Sequence, residues 1–173
     1  LLADLELRLG PASGTEQTLL VNGVDATSAI RTAEVTASVS AVAALPSVRA
    51  ALTPQQQQLG HQGGLVAEGR DIGTAVFPDA ELKIYLTATV AERARRRAAD
   101  LAARGLPVPE LSQLEQEIAD RDHKDSSREV APLRQASDAV ELLSDGLSID
   151  EVVAQIVALF RERVPVEALN ADA

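Results

Sequence analysis

The sequence predicts an α/β layered fold with a parallel sheet, on three observations. Its second half alternates short apolar runs with helical patterns, and three of those helices open with Ser/Thr-x-x-Glu, at Thr89, Ser112 and Ser148. The connections are long enough for parallel crossovers. Hydrophobic residues make up 46% of the 173, yet only Tyr85, Phe77 and Phe160 are aromatic, so one aliphatic core is expected.

The elements follow in order. Leu5, Leu7 and Leu9 alternate from Asp4 onward, a Gly-Pro-Ala-Ser-Gly turn follows at Gly10 to Gly14, and Thr18 to Val21 returns before Asn22-Gly23. That is a hairpin of half-buried strands. Residues 32–44 carry Ala, Val and Ser at helical spacing, ended by Leu45-Pro46. A second helix starts near Ser47, and Pro54 is expected to break it, because a proline inside a helix costs about 3 kcal/mol. Gln55 to Gln58 reads as a solvated face, and Gly60 to Gly64 as a flexible exit. Leu65-Val66-Ala67 then has the pattern of a buried parallel strand ending at Glu68-Gly69-Arg70-Asp71. Leu82 to Ala88 is the next strand, with a helix from Thr89 to Gly105. Ser112 opens a helix that ends near Arg121, Ala139 to Leu143 is a third strand, and Ser148 opens a last amphipathic helix. Val152, Val153, Ile156, Val157 and Phe160 form the apolar side of that last helix.

Composition excludes several functions. Without cysteine there is no disulfide, thiolate metal site or Cys nucleophile. A formal charge of −10 argues against a protein held mainly by a nucleic-acid backbone or an anionic membrane. Three scattered rings do not make a stacking platform for single strands. No apolar run approaches a membrane span and the amino end lacks a signal-peptide pattern, so a cytoplasmic protein is expected. His61 and His123 are not at metal-ligand spacing, and neither HExxH nor GxSxG occurs.

Chemistry is concentrated in three arginine-bearing clusters. Glu68-Gly69-Arg70-Asp71 projects Arg70 and Asp71 beyond a strand end, where ligands of open α/β sheets bind. An Arg there suits a bidentate grip on phosphate, and an adjacent Asp suits a donor such as an exocyclic amine; a strand-end salt bridge explains the same residues. Arg93, Arg95, Arg96 and Arg97 lie on one helix, with Arg93 and Arg97 sharing a face that fits a polyphosphate. Solvated charges paired with Glu92 and Asp100 are the plainer explanation. Arg121 to Arg128 reads as a charged mobile loop that closes over an anion, or as ordinary solvated surface.

The order of these clusters, with Ile30-Arg31-Thr32, Pro46-x-Val48-Arg49, Glu68-Gly69-Arg70-Asp71-Ile72-Gly73-Thr74, Val76-Phe77-Pro78-Asp79-Ala80, Lys83-Ile84-Tyr85-Leu86, Arg121-Asp122-x-x-Asp125-x-x-Arg128 and Ala131-Pro132-Leu133, resembles the bacterial cytidylate kinases. The resemblance runs through nearly the whole chain. It implies a P-loop nucleoside monophosphate kinase-like three-layer parallel sheet. Residues 1–62 would form a hairpin-and-helix monophosphate-binding insert, residues 63–105 and 131–165 the α/β core, residues 106–130 a lid, and residues 166–173 a tail. It also implies transfer of the γ-phosphate of ATP to CMP or dCMP with Mg2+ by a monomer, with no nucleic-acid polymer or membrane as partner. Ser40, Arg49 and Asp71 would read the cytosine; Arg70 and Arg128 would hold the acceptor phosphate, and Arg121 and Asp125 would lie at the sugar. Arg93 and Arg97 would face the ATP phosphates, and Arg70, Arg121 and Arg128 would be the catalytic cations.

Departures from the family pattern are local. Glu68 stands where Asp is frequent, Pro54 and the glutamines replace a charged helical segment, and His123, Lys124, Ser126 and Ser127 fill variable positions. The loop G-x-x-x-x-G-K-[ST], which the family carries at its amino end, does not occur. The chain is therefore expected to be the carboxyl-side portion of such a kinase, inactive by itself. The resemblance also admits fusion to a pantoate–β-alanine ligase, as in cyanobacteria. Two alternatives stay open: a kinase for another monophosphate such as UMP, and a non-catalytic nucleotide-binding or interaction module.

Overall fold

The alternating leucines of the amino end form a three-stranded antiparallel sheet in the computed structural model, which describes residues 4–13, 16–61 and 63–164. Strand β1 is Leu7–Ser13, β2 is Glu16–Val21 and β3 is Val24–Asp25. The expected turn at Gly10 lies inside β1: the register shifts between Leu9 and Ala12, so Gly10 and Pro11 form an irregularity in an edge strand. An edge bulge is where a proline, lacking an N–H, disturbs least. Gly14 lies outside the described residues. Asn22 and Gly23 both have positive φ, 51° and 79°, which is the backbone a tight hairpin turn requires.

Helix α1, Ala33–Ala43, starts where its cap dictates: the Thr32 hydroxyl accepts from the Val35 N–H. Helix α2, Pro46–Gly60, has Pro46 in its first turn and continues through Pro54, so the expected break does not occur. Pro54 is solvent-exposed, and one missing N–H leaves the helix bonded on either side. The glutamines are not simply a solvated face. Gln55 is half-buried and donates to the carbonyls of Leu5 (3.0 Å) and Ala51 (3.4 Å), tying α2 to the chain ahead of β1.

Leu65 to Ala67 is not a strand. The segment has no ladder, and Val66 is 98% exposed. Among the described residues no neighbouring strand pairs with it, and an apolar run becomes a strand only when another backbone takes its N–H and C=O groups.

Among the described residues, a second compact unit holds 69–127 and 131–164, whereas those up to 68 and 128–130 belong to the first. The second unit opens with a π-helical turn, Ile72–Val76, for which the sequence carried no signal. The Asp71 carbonyl accepts from the N–H groups of Thr74, Ala75 and Val76. Strand β4, Ile84–Thr87, pairs in parallel with β5, Val140–Leu143, as the crossover pattern requires. Between them lie α3, Val90–Ala103, and α4, Leu111–Ser127; α5, Ile149–Arg163, follows β5.

The capping boxes are realised unequally. Ser148 and Glu151 form both reciprocal bonds. At α3 the Thr89 hydroxyl accepts from the Glu92 N–H, but the Thr89 N–H goes to Asp145 (2.9 Å), leaving the Glu92 carboxylate to Arg95 and Arg96. At α4 the helix begins at Leu111, one residue ahead of Ser112, and runs to Ser127 rather than stopping near Arg121. No Gly or Pro interrupts residues 111–127, and i,i+4 pairs such as Gln116 with Asp120 (2.8 Å) support the extension. The core of this unit is Val76, Ala94, Leu114, Leu142 and Val164. On α5, Val152, Ile156 and Phe160 are half-buried, while Val153 and Val157 are exposed. No single helix among the described residues is long and apolar enough to cross a membrane. The tail expected at residues 166–173 lies outside the described residues.

Candidate active site

A cluster of arginines and aspartates in the second unit forms because the π turn, α3 and α4 each contribute charges to one place. Gly69 precedes Arg70 at a close approach: a Cβ on Gly69 would lie 2.6 Å from the Ile72 side chain. The bend leaves Arg70 half-buried, with NH1 donating to Asp122 Oδ1 at 3.0 Å and Nε 3.3 Å from Asp125 Oδ2. Arg93, in the first turn of α3, donates through NH2 to the other oxygen of Asp122 at 2.5 Å. Arg121 lies one turn before Asp125 on α4, with Nε 3.8 Å from Asp125 Oδ2.

These contacts differ in kind. Asp122 accepts two aligned hydrogen bonds. Asp125, only 3% exposed, makes charge contacts to Arg70 and Arg121, but among the described residues its Oδ2 has no hydrogen-bond partner. The buried Nε atoms of Arg93 and Arg121 likewise have none. Arg121 Nε faces Asp125 Oδ2 at 3.8 Å, beyond hydrogen-bond distance, whereas the Arg93 Nε is a buried donor on a cationic side chain of the kind that suits an anionic acceptor. Burial pushes the Asp122 carboxyl up, but hydrogen bonds and charge from Arg93 and Arg70 outweigh it and hold the group below the ordinary value of 3.8. Three guanidiniums thus face two carboxylates, an arrangement left cationic and suited to phosphate.

The other expected site residues fall as follows. Asp71 is buried where the π turn starts. Arg97 is one turn beyond Arg93 and points to Glu117 on α4 at 3.9 Å, so it is not part of the cluster. Ser40 and Arg49 are half-buried in the first unit, where the Arg49 guanidinium donates to the Ala43 carbonyl at the end of α1 (3.5 Å). Arg128 is half-buried just beyond α4, in the segment that groups with the first unit. Arg96 stands apart: it donates to the hydroxyl (3.0 Å) and carbonyl (2.5 Å) of Ser144, whose hydroxyl donates to the Thr87 carbonyl (3.1 Å), so it ties the ends of β4 and β5.

Asp122 is the residue that sequence reasoning passed over, although it stands in the quoted motif. Its signal was the i,i+3 spacing to Asp125, which means one face only if the helix continues past Arg121.

Comparison with known proteins bears on what this cluster serves. The family model for cytidylate kinase matches residues 2–162. The chain is 96% identical over its whole length to part of a bifunctional pantoate ligase/cytidylate kinase of Synechococcus sp. (strain RCC307), covering 34% of that protein. A protein of the same description from Prochlorococcus marinus (strain MIT 9313) is 63% identical over 96% of this chain and 33% of its own length. One from Synechococcus elongatus (strain ATCC 33912 / PCC 7942 / FACHB-805) is 66% identical over 93% of this chain and 31% of its own. The chain spans about a third of the length of these relatives.

Proposed function

Because the chain belongs to the cytidylate kinase family, we propose that it supplies acceptor-binding and charge-stabilising residues for transfer of the γ-phosphoryl group of ATP to CMP or dCMP. The observation that carries this reading is the Arg70, Arg93 and Arg121 cluster, with its buried donors unsatisfied beside two carboxylates. Phosphoryl transfer spreads negative charge over the transferred oxygens, and fixed guanidiniums stabilise it without reorganisation. Arg70 takes the acceptor phosphate, Arg93 the donor phosphates, and Arg121 with Asp125 the sugar side. Asp71 reads the cytosine amine. Ser40, Arg49, Arg97 and Arg128 take family roles on resemblance alone.

Cytidylate kinases use ATP as donor, typically with Mg2+. Among the described residues no group of three or more His, Asp or Glu is placed to hold a metal ion. A pantoate ligase partner domain is part of the same proposal, because the relatives' names carry both activities. The test is CMP-dependent release of ADP from ATP by the full-length protein, with UMP and AMP as competing acceptors. Preferential CDP formation supports the reading, and preferential UDP formation, or consumption of AMP in place of CMP, overturns the assignment of Asp71.

A further inference from the structure

One carboxylate joins two arginines that the proposed reaction assigns to different substrates. Asp122 Oδ1 takes Arg70 at 3.0 Å and Oδ2 takes Arg93 at 2.5 Å. These side chains come from three separate elements: the bend before the π turn, the first turn of α3, and α4. Asp122 is only a quarter exposed, and its partners are each about one third exposed. With Asp122 on NH1 and Asp125 on the Nε edge, the NH2 edge of Arg70 is left for a ligand. Arg93, held by NH2, keeps a buried Nε without a partner.

We infer that Asp122 is a positioning residue that sets the separation between the acceptor-side guanidinium of Arg70 and the donor-side guanidinium of Arg93. This rests on the kinase reading above. The physical reason is that two long cationic side chains repel one another, and each has several rotatable bonds. A shared carboxylate cancels the repulsion and fixes both heads at once, so the two phosphates they hold meet at a set distance. In-line transfer depends on that distance far more than substrate binding does, because each phosphate still finds its own arginine when the tie is lost. The same geometry explains why the carboxylate stays ionised between the two cations.

The test uses Asp122→Asn and Asp122→Glu in the full-length protein, measuring kcat and KM for CMP and for ATP. Asn removes the charge, whereas Glu keeps it but moves the carboxylate by about 1.5 Å, one carbon–carbon bond. Misplacement on this scale costs up to about 100-fold in rate. Both variants are expected to lose about tenfold or more in kcat, with each KM within about threefold of wild type. A residue that merely balances charge would be satisfied by Glu. Wild-type kcat in Asp122→Glu, or a loss carried by KM in either variant, overturns the inference. Should Asp122→Asn fail to unfold cooperatively, Asp122→Glu alone decides by the same criteria. The kinase reading fails separately, if wild-type protein does not phosphorylate CMP; the inference fails alone, if wild type is active and the variants match it.

Discussion

Replacing Arg70 with Lys keeps a positive charge and removes a fork. In the folded chain the guanidinium reaches two carboxylates through two different nitrogens, Asp122 at 3.0 Å and Asp125 at 3.3 Å, and the side chain stays about one third exposed. A lysine ammonium is a single point of charge and cannot hold both carboxylates and a phosphate in that geometry. One charge-assisted hydrogen bond contributes about 1.5–3 kcal/mol, but Arg70 is about one third exposed, so solvent screening reduces the stability loss to about 1 kcal/mol. The catalytic loss is larger. Removing one fixed donor to a developing anionic charge costs about 100- to 1,000-fold, or about 2.7–4 kcal/mol of transition-state stabilisation. The assay is kcat/KM for CMP at saturating ATP in the full-length protein, with Arg95→Lys as control. Arg95 is 64% exposed and pairs with Glu92 on its own helix, so that control is expected within about twofold of wild type. Arg70→Lys within about threefold of wild type, or an equal loss in Arg95→Lys, would refute the reasoning.

Asp71→Asn is expected to reduce kcat/KM for CMP far more than for UMP, because only cytosine offers an amine to a carboxylate; equal losses on the two substrates would remove the base-reading role. Leu114 is fully buried on α4 and Leu111 is 46% exposed on the same helix. Leu114→Ala should therefore cost about 2–5 kcal/mol in denaturant unfolding, and Leu111→Ala about 0.5 kcal/mol. Acid should weaken the cluster. The folded Asp122 carboxyl lies below 3.8, so its contribution is complete above that value and drains away as pH falls through the folded value. Unfolding midpoints taken from pH 6 down to pH 3 should fall more steeply in wild type than in Asp122→Asn, and parallel curves would contradict this.

Local signals carried much of the architecture. Thr89 and Ser148 each start a helix where a capping hydroxyl is expected, whereas Ser112 lies inside α4; Asn22-Gly23 makes its turn, and β4 and β5 pair in parallel. What escaped depends on partners distant in sequence. Leu65 to Ala67 has a strand's composition but, among the described residues, no neighbouring strand to bond. Pro54 looks like a breaker, yet on an exposed helix face the cost of one lost bond is absorbed by its surroundings. The π turn at Ile72–Val76 rests on a single carbonyl, that of Asp71, accepting several N–H groups, which no residue pattern announces. For the candidate site, arginines stand out against an acidic chain by type and order. Asp122 does not, since its place in the cluster lies in which side chains reach it from α3 and from the bend at Arg70. Arg97 shares a helical face with Arg93 in projection, but Glu117 draws it to α4.

Arg70 is the proposed ligand of the acceptor phosphate. A crystal structure of the full-length protein with CMP and ADP bound measures this directly. The predicted result is a phosphate oxygen of CMP about 3 Å from a guanidinium nitrogen of Arg70, with Asp122 still shared by Arg70 and Arg93. A CMP phosphate bound away from Arg70, beyond about 6 Å, would contradict it.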